Sequence, residues 1–85
     1  MPPLTRPRVA LTVGDPAGIG PEISARAAVD PRVLAVCEPV VYAPDGDAPF
    51  APGVLDARAG RAAYDVLVRA VRDAQAGRVD AIATA

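Results

Sequence analysis

The chain has no lysine, no histidine and no tryptophan, and its aromatic residues are limited to Tyr42, Phe50 and Tyr64. Scarce aromatics leave no bulky centre around which a large core could form. With lysine absent, all nine basic residues are arginines; set against ten acids they give a net charge of −1. That balance gives no reason to expect nucleic acid or an anionic membrane as a partner. Cys37 stands alone, so an internal disulfide is excluded and a reducing, cytoplasmic setting fits. Its place just before a β-rich run suits a small buried thiol better than a nucleophile. No apolar run approaches the ~18 residues needed to cross a bilayer, and no signal-peptide pattern follows Met1. The sequence reads as that of a soluble protein.

What is present is alanine, arginine, aspartate and proline in abundance, within 85 residues that are 52% hydrophobic. That hydrophobic fraction is globular rather than disordered, but alanine supplies little burial per residue. A chain this short buries only roughly 60–65% of the surface it exposes unfolded. One small domain is expected, thinly cored and incomplete.

Residues 1–7 are proline-rich and read as a loose terminus. Arg8 to Val13 is a short apolar run that halts at Gly14, as a buried parallel strand does. A helix is expected from Pro21, where a missing N–H costs nothing, with Glu22 in its first turn. Ile23, Ala27 and Ala28 form its expected apolar side, and Asp30-Pro31 ends it. A second strand is expected over Pro39 to Ala43. A proline-rich loop follows from Pro44 to Gly53, with Asp45-Gly46 as its turn signal.

The strongest helix then starts near Asp56. Its apolar positions, among them Ala59, Ala63, Val66, Ala70 and Ala74, recur at steps of three and four. Asp65–Arg69 and Arg69–Asp73 are candidate ion pairs four residues apart. Gly77 is the expected left-handed cap, and Val79 to Thr84 reads as a third strand. The alternation gives a β-α-β-α-β order and an α/β class with a parallel sheet. Two helices cannot cover three strands on both faces, so uncovered apolar surface is expected.

One segment carries chemistry. Gly14-Asp15-Pro16-Ala17-Gly18-Ile19-Gly20-Pro21-Glu22 joins the carboxyl end of a strand to a helix start. Ligands bind there in open α/β sheets, because free N–H groups and the helix dipole converge. The glycine spacing fits neither the dinucleotide fingerprint nor a phosphate-binding Walker loop. On spacing alone, a tight turn with no ligand is as good a reading. Asp15 and Glu22 equally suit a turn-stabilising carboxylate and a first-turn helix acid.

The full string Val13-Gly14-Asp15-Pro16-Ala17-Gly18-Ile19-Gly20-Pro21-Glu22-Ile23 resembles the amino-terminal signature of the 4-hydroxythreonine-4-phosphate dehydrogenases. It also looks like a longer version of the turn in isocitrate and isopropylmalate dehydrogenases, which share that fold. A second block, Ala57 to Tyr64 followed by Ala76 to Ala85, is similar to the family's next helix and strand, in the same order. The resemblance covers roughly residues 8–43 and 53–85. It implies an incomplete portion of an isocitrate/isopropylmalate dehydrogenase-like fold, with Pro44 to Gly53 shorter than the family's usual connection.

For a complete enzyme the resemblance implies NAD-dependent oxidation of 4-phosphohydroxy-L-threonine, or of a related four-carbon phosphorylated acid. Carbon dioxide is then lost with help from a divalent metal, on the way to pyridoxal phosphate. It also implies a homodimer whose subunits share metal-binding histidines. None of the family's histidine or lysine roles maps onto this chain, so no catalytic residue and no metal ligand is assigned, and the 85 residues alone are expected to be inactive. By resemblance, Gly14, Asp15, Gly18, Ile19 and Gly20 are the candidates for lining the NAD side of the cleft. Thr84 could face that cleft but supports no role. The alternatives are a non-catalytic nucleotide- or anion-binding module and a degenerate, inactive gene product.

Overall fold

A computed structural model describes residues 6–45, 53 and 57–85. The elements run β1 (Arg8–Thr12), α1 (Gly20–Val29), α2 (Pro31–Leu34), β2 (Glu38–Tyr42), α3 (Ala57–Gln75) and β3 (Ala81–Thr84). The strands form one three-stranded parallel sheet in the order β2-β1-β3. This is the expected α/β architecture, with β1 at its centre.

Side-chain alternation along a strand assigns the two faces of this sheet. Ala10 is level with Val40 and Ile82, and Thr12 with Tyr42. Ala10, Tyr42, Val66, Ala70 and Val79 form the core, with Val40, Ala74 and Ile82 packed against it. That face therefore lies under α3. Leu11 and Ala83, which point the other way, line a groove with Ile23, Ser24 and Ala27 of α1. One helix thus covers each face, and cover is thinnest beside β3, where Ala81 and Ala83 are exposed.

The helix ends follow local chemistry. Asp30 has an extended backbone that stops α1, and its side chain accepts from the Arg32 N–H at 2.8 Å to start α2. Proline at the first position of α2 suits that restart. The sequence reading ended α1 correctly but missed α2, which is too short to leave a periodic signature. At the end of α3, Gly77 has φ 79, the Gly77 N–H reaches the Ala74 carbonyl and the Arg78 N–H reaches that of Asp73. These two bonds make a Schellman cap, so the assignment of Gly77 holds.

Several expectations need correction. In α1 the buried residues are Gly20 and Ser24, while Ile23 is 45% exposed. Ile23 and Ala27 do face the sheet, but the groove that they line with Leu11 and Ala83 is open. The three strands are each shorter than, or shifted by one residue from, the expected runs. Arg6 and Pro7 are not loose: the Arg6 guanidinium donates to the Leu34 carbonyl, and the Pro7 carbonyl accepts from Glu38 N–H at 2.8 Å. The rest of the expected loose terminus, the Asp56 cap, Gly46 and most of the 44–53 loop lie outside the described residues. Cys37 is buried, with its Sγ 3.5 Å from the Val33 carbonyl, as a small structural thiol would be.

The ion pairs also differ. Arg69 turns from its helical neighbours to Asp45 at 3.2 Å and to the Ala43 carbonyl at 2.7 Å. Asp73 pairs with Arg78 and accepts from the Tyr42 hydroxyl. Asp65 pairs with Arg61 instead. For Arg69 and Asp73, partners near the β2 exit outcompete the i,i+4 spacing on which the expectation rested.

Candidate functional site

The glycine turn occupies the carboxyl end of β1. Chain order gives this position its significance: α1 leads from β1 to β2 on one side, and α3 leads from β2 to β3 on the other. The two connections diverge between β1 and β3. Such a switch point opens a crevice outside the carboxyl ends of the strands, where α/β proteins bind ligands.

The turn is held from within. Asp15 Oδ1 accepts from the Ala17 N–H at 2.8 Å, and the Asp15 carbonyl accepts from the Gly18 N–H at 2.9 Å. This is a side-chain-closed turn, in which aspartate mimics a backbone carbonyl. Both interactions begin on Asp15, so one of its carboxylate oxygens already has a structural task. Helix α1 then begins without a side-chain cap, because its N-cap residue is Ile19. Pro21 lacks an N–H, which reduces the number of donors left open there.

The five candidate residues divide into two groups. Gly14 has φ 71, and a Cβ there would stand 2.5 Å from the Ala85 carbonyl oxygen. At Gly20 a Cβ would stand 1.6 Å from the Val13 carbonyl oxygen. These two glycines let backbone approach backbone. Asp15, Gly18 and Ile19 are exposed, Ile19 by 72%. They form the part of the turn that a ligand could reach.

The end of β3 completes the rim. The Ala85 N–H donates to the Thr12 carbonyl at 3.0 Å, which brings Thr84 and Ala85 beside the turn. Thr84 and Ala85 also line the groove of Leu11, Ile23, Ser24 and Ala27, about 270 Å³ in volume. Sequence reasoning placed Thr84 near the cleft but did not foresee that Ala85 backs Gly14. Among the described residues no three His, Cys, Asp or Glu side chains gather as a metal would require. The described residues do not fit a divalent metal site. No helix among them is long and apolar enough to cross a membrane.

Comparison with known proteins decides the relationship. A relative from Bradyrhizobium diazoefficiens, which carries by inference the name D-threonate 4-phosphate dehydrogenase, is 36% identical over 122 aligned positions, covering 96% of this chain and 35% of the relative. The 4-hydroxythreonine-4-phosphate dehydrogenase of Desulforapulum autotrophicum is 51% identical over 41 residues, 48% of this chain and 12% of that protein. The crystal structure of a 4-hydroxythreonine-4-phosphate dehydrogenase from Burkholderia phymatum superposes with a TM-score of 0.83 at 27% identity, covering 95% of this chain and 36% of that one.

The chain is homologous to the 4-hydroxythreonine-4-phosphate dehydrogenases. Its α/β fold matches a portion of theirs, and it spans about a third of the length of those relatives. No protein-family model matches the chain.

Proposed function

We propose that this chain forms the cofactor-side rim of an NAD-dependent dehydrogenase acting on a four-carbon phosphorylated hydroxy acid. The observation that carries the reading is the glycine turn at the switch point between β1 and β3, in a chain homologous to dehydrogenases. The related activities are named for 4-hydroxythreonine 4-phosphate and D-threonate 4-phosphate. Both substrates combine a phosphate with an oxidisable carbon chain, and either suits the reading.

In this reading Asp15, Gly18 and Ile19 border the dinucleotide, while Gly14 and Gly20 fix the turn. The exposed Ile19 side chain offers an apolar surface, and the open start of α1 favours negative charge nearby. NAD, when bound, accepts a hydride from the substrate carbon. The residues of this chain would bind and orient; proton transfer and phosphate recognition fall to parts of the fold that these residues do not supply. The divalent metal, the homodimer, the cytoplasmic setting and the link to pyridoxal phosphate belong to the complete enzyme in this proposal.

The test is a titration of the isotopically labelled chain with NAD, followed through its amide resonances. Shifts centred on Asp15, Gly18 and Ile19 are expected. Saturating NAD that moves none of these three amides would exclude the cofactor-side assignment.

A further inference from the structure

We propose that the free edge of β3 pairs antiparallel with the β3 edge of a second copy of this chain, joining the two sheets into one. The proposal is independent of the cofactor reading, because it rests on backbone groups along the sheet's edge.

The strand order leaves β2 and β3 at the two edges, and the edges differ. On β2, the Glu38 N–H and the Tyr42 carbonyl point to β1, where they meet the Pro7 carbonyl and the Val13 N–H. Alternation therefore turns the backbone groups of Pro39 and Val41 outward. Pro39 has no N–H to offer and the exposed Glu38 stands beside it, so this edge is guarded. On β3, the Ala85 N–H points to β1 and donates to the Thr12 carbonyl. Alternation here turns Ile82 and Thr84 outward. Each carries an N–H and a carbonyl, and no described residue pairs with these groups. Residues 81–85 contain neither charge nor proline, so this edge lacks the usual guards against a partner strand.

The edge is complementary to itself. In an antiparallel pair, two outward-facing residues exchange both of their hydrogen bonds. A two-fold axis at Ala83 sets Ile82 of each copy opposite Thr84 of the other, which uses every outward group of the strand. The two Asp80 carboxylates then lie roughly 20 Å apart at ~3.4 Å per residue, beyond the screening length of ~10 Å. Ala81, Ala83 and Thr84 are small and exposed, so the approach is open. Ala83 also lines the apolar groove of Leu11, Ile23 and Ala27. Pairing across Ala83 brings the two grooves side by side, so one partner serves both the edge and the exposed apolar surface.

Sedimentation of the natural chain from about 10 μM to 1 mM should show a monomer–dimer equilibrium, as small interfaces do. The Ile82 and Thr84 amides should exchange freely in dilute solution and gain protection in concentrated solution. Ala83→Lys sets like charges opposite each other and should weaken association about fivefold, as should Ala83→Glu. An equimolar mixture of these two variants should associate more tightly than either alone. Ala81→Lys is the control: its two copies lie about 14 Å apart along the strands, so association should stay within about twofold. A chain that stays monomeric throughout would overturn the proposal. So would Ile82 and Thr84 amides already protected in the dilute monomer, since another segment would then cover the edge. Association that Ala83→Lys weakens no more than Ala81→Lys does, or that the mixture fails to rescue, would overturn it in favour of a different contact.

Discussion

The Tyr42 hydroxyl donates to Asp73 Oδ2 at 2.5 Å, joining the last residue of β2 to the last full turn of α3. The Arg69 guanidinium lies 5.5 Å from the centre of the Tyr42 ring, and Arg78 reaches the other oxygen of Asp73 at 3.1 Å. The Tyr42 hydrogen bond is the largest influence holding the Asp73 carboxyl below its ordinary range, with Arg78 adding to it. The same bond, with burial, raises the Tyr42 hydroxyl above its ordinary value.

The sign of each shift fixes the pH window. A depressed carboxyl stabilises the fold above its unfolded value and loses that contribution as pH falls through the folded value. A raised phenol stabilises below its unfolded value and loses that contribution as pH rises through the folded one. Tyr42→Phe should therefore lower the urea midpoint at pH 7. The gap from the natural chain should narrow below about pH 4 and again above about pH 10. A gap constant from pH 2.5 to 7 would show that the hydroxyl acts through packing alone.

Arg69 supports a second prediction, because its observed partners differ from those that its helix position suggests. Arg69→Ala removes a bond to the Ala43 carbonyl, an ion pair to Asp45 and the stacking on Tyr42. A loss of about 1–2 kcal/mol is expected in chemical denaturation. Asp65→Asn should change stability by less than about 0.5 kcal/mol, since the pair that it breaks with Arg61 is exposed. Equal losses from the two variants would favour the Asp65–Arg69 pairing over the observed partners of Arg69.

These contrasts show how far the sequence could be read. The order of the three strands and the two longer helices was legible because Arg8 to Val13 is apolar nearly throughout and α3 repeats at three and four residues. Arg69 was not legible, since both Asp65 and Asp73 lie at helical spacing and only the fold brings Tyr42 and Asp45 to it. Ile23 was assigned to a buried face because its spacing is right, yet the groove before it is open. The turn was recognisable from its full string, but its glycines looked equivalent. Only the positions of Val13 and Ala85 separate glycines that pack from those that face outward.

That separation is directly measurable. Gly20→Ala places a Cβ against the Val13 backbone, which cannot yield without moving β1 or α1. A loss above about 3 kcal/mol, or failure to fold, is expected. Gly14→Ala adds backbone strain to its clash with Ala85 and should also be severe. Gly18→Ala meets its nearest atom, the Asp15 carbonyl oxygen, at 3.4 Å and should stay within about 0.5 kcal/mol. Thermal unfolding of the three variants ranks them, and a destabilised Gly18→Ala would contradict the division.

Asp15 gives the prediction that separates architecture from ligand binding. Its Oδ1 accepts from Ala17, a role that needs an oxygen but no charge. Asp15→Asn should therefore keep the turn, because the amide retains one acceptor oxygen. Asp15→Ala should cost about 1 kcal/mol through the lost bond. If Asp15 serves only the turn, both variants should bind NAD in proportion to their folded fraction. If its charge also acts on the ligand, Asp15→Asn should fold as the natural chain does and yet change NAD affinity. Unfolding and NAD titration of the asparagine variant, measured on one sample, distinguish the two, because the substitution removes the charge and leaves the hydrogen bond.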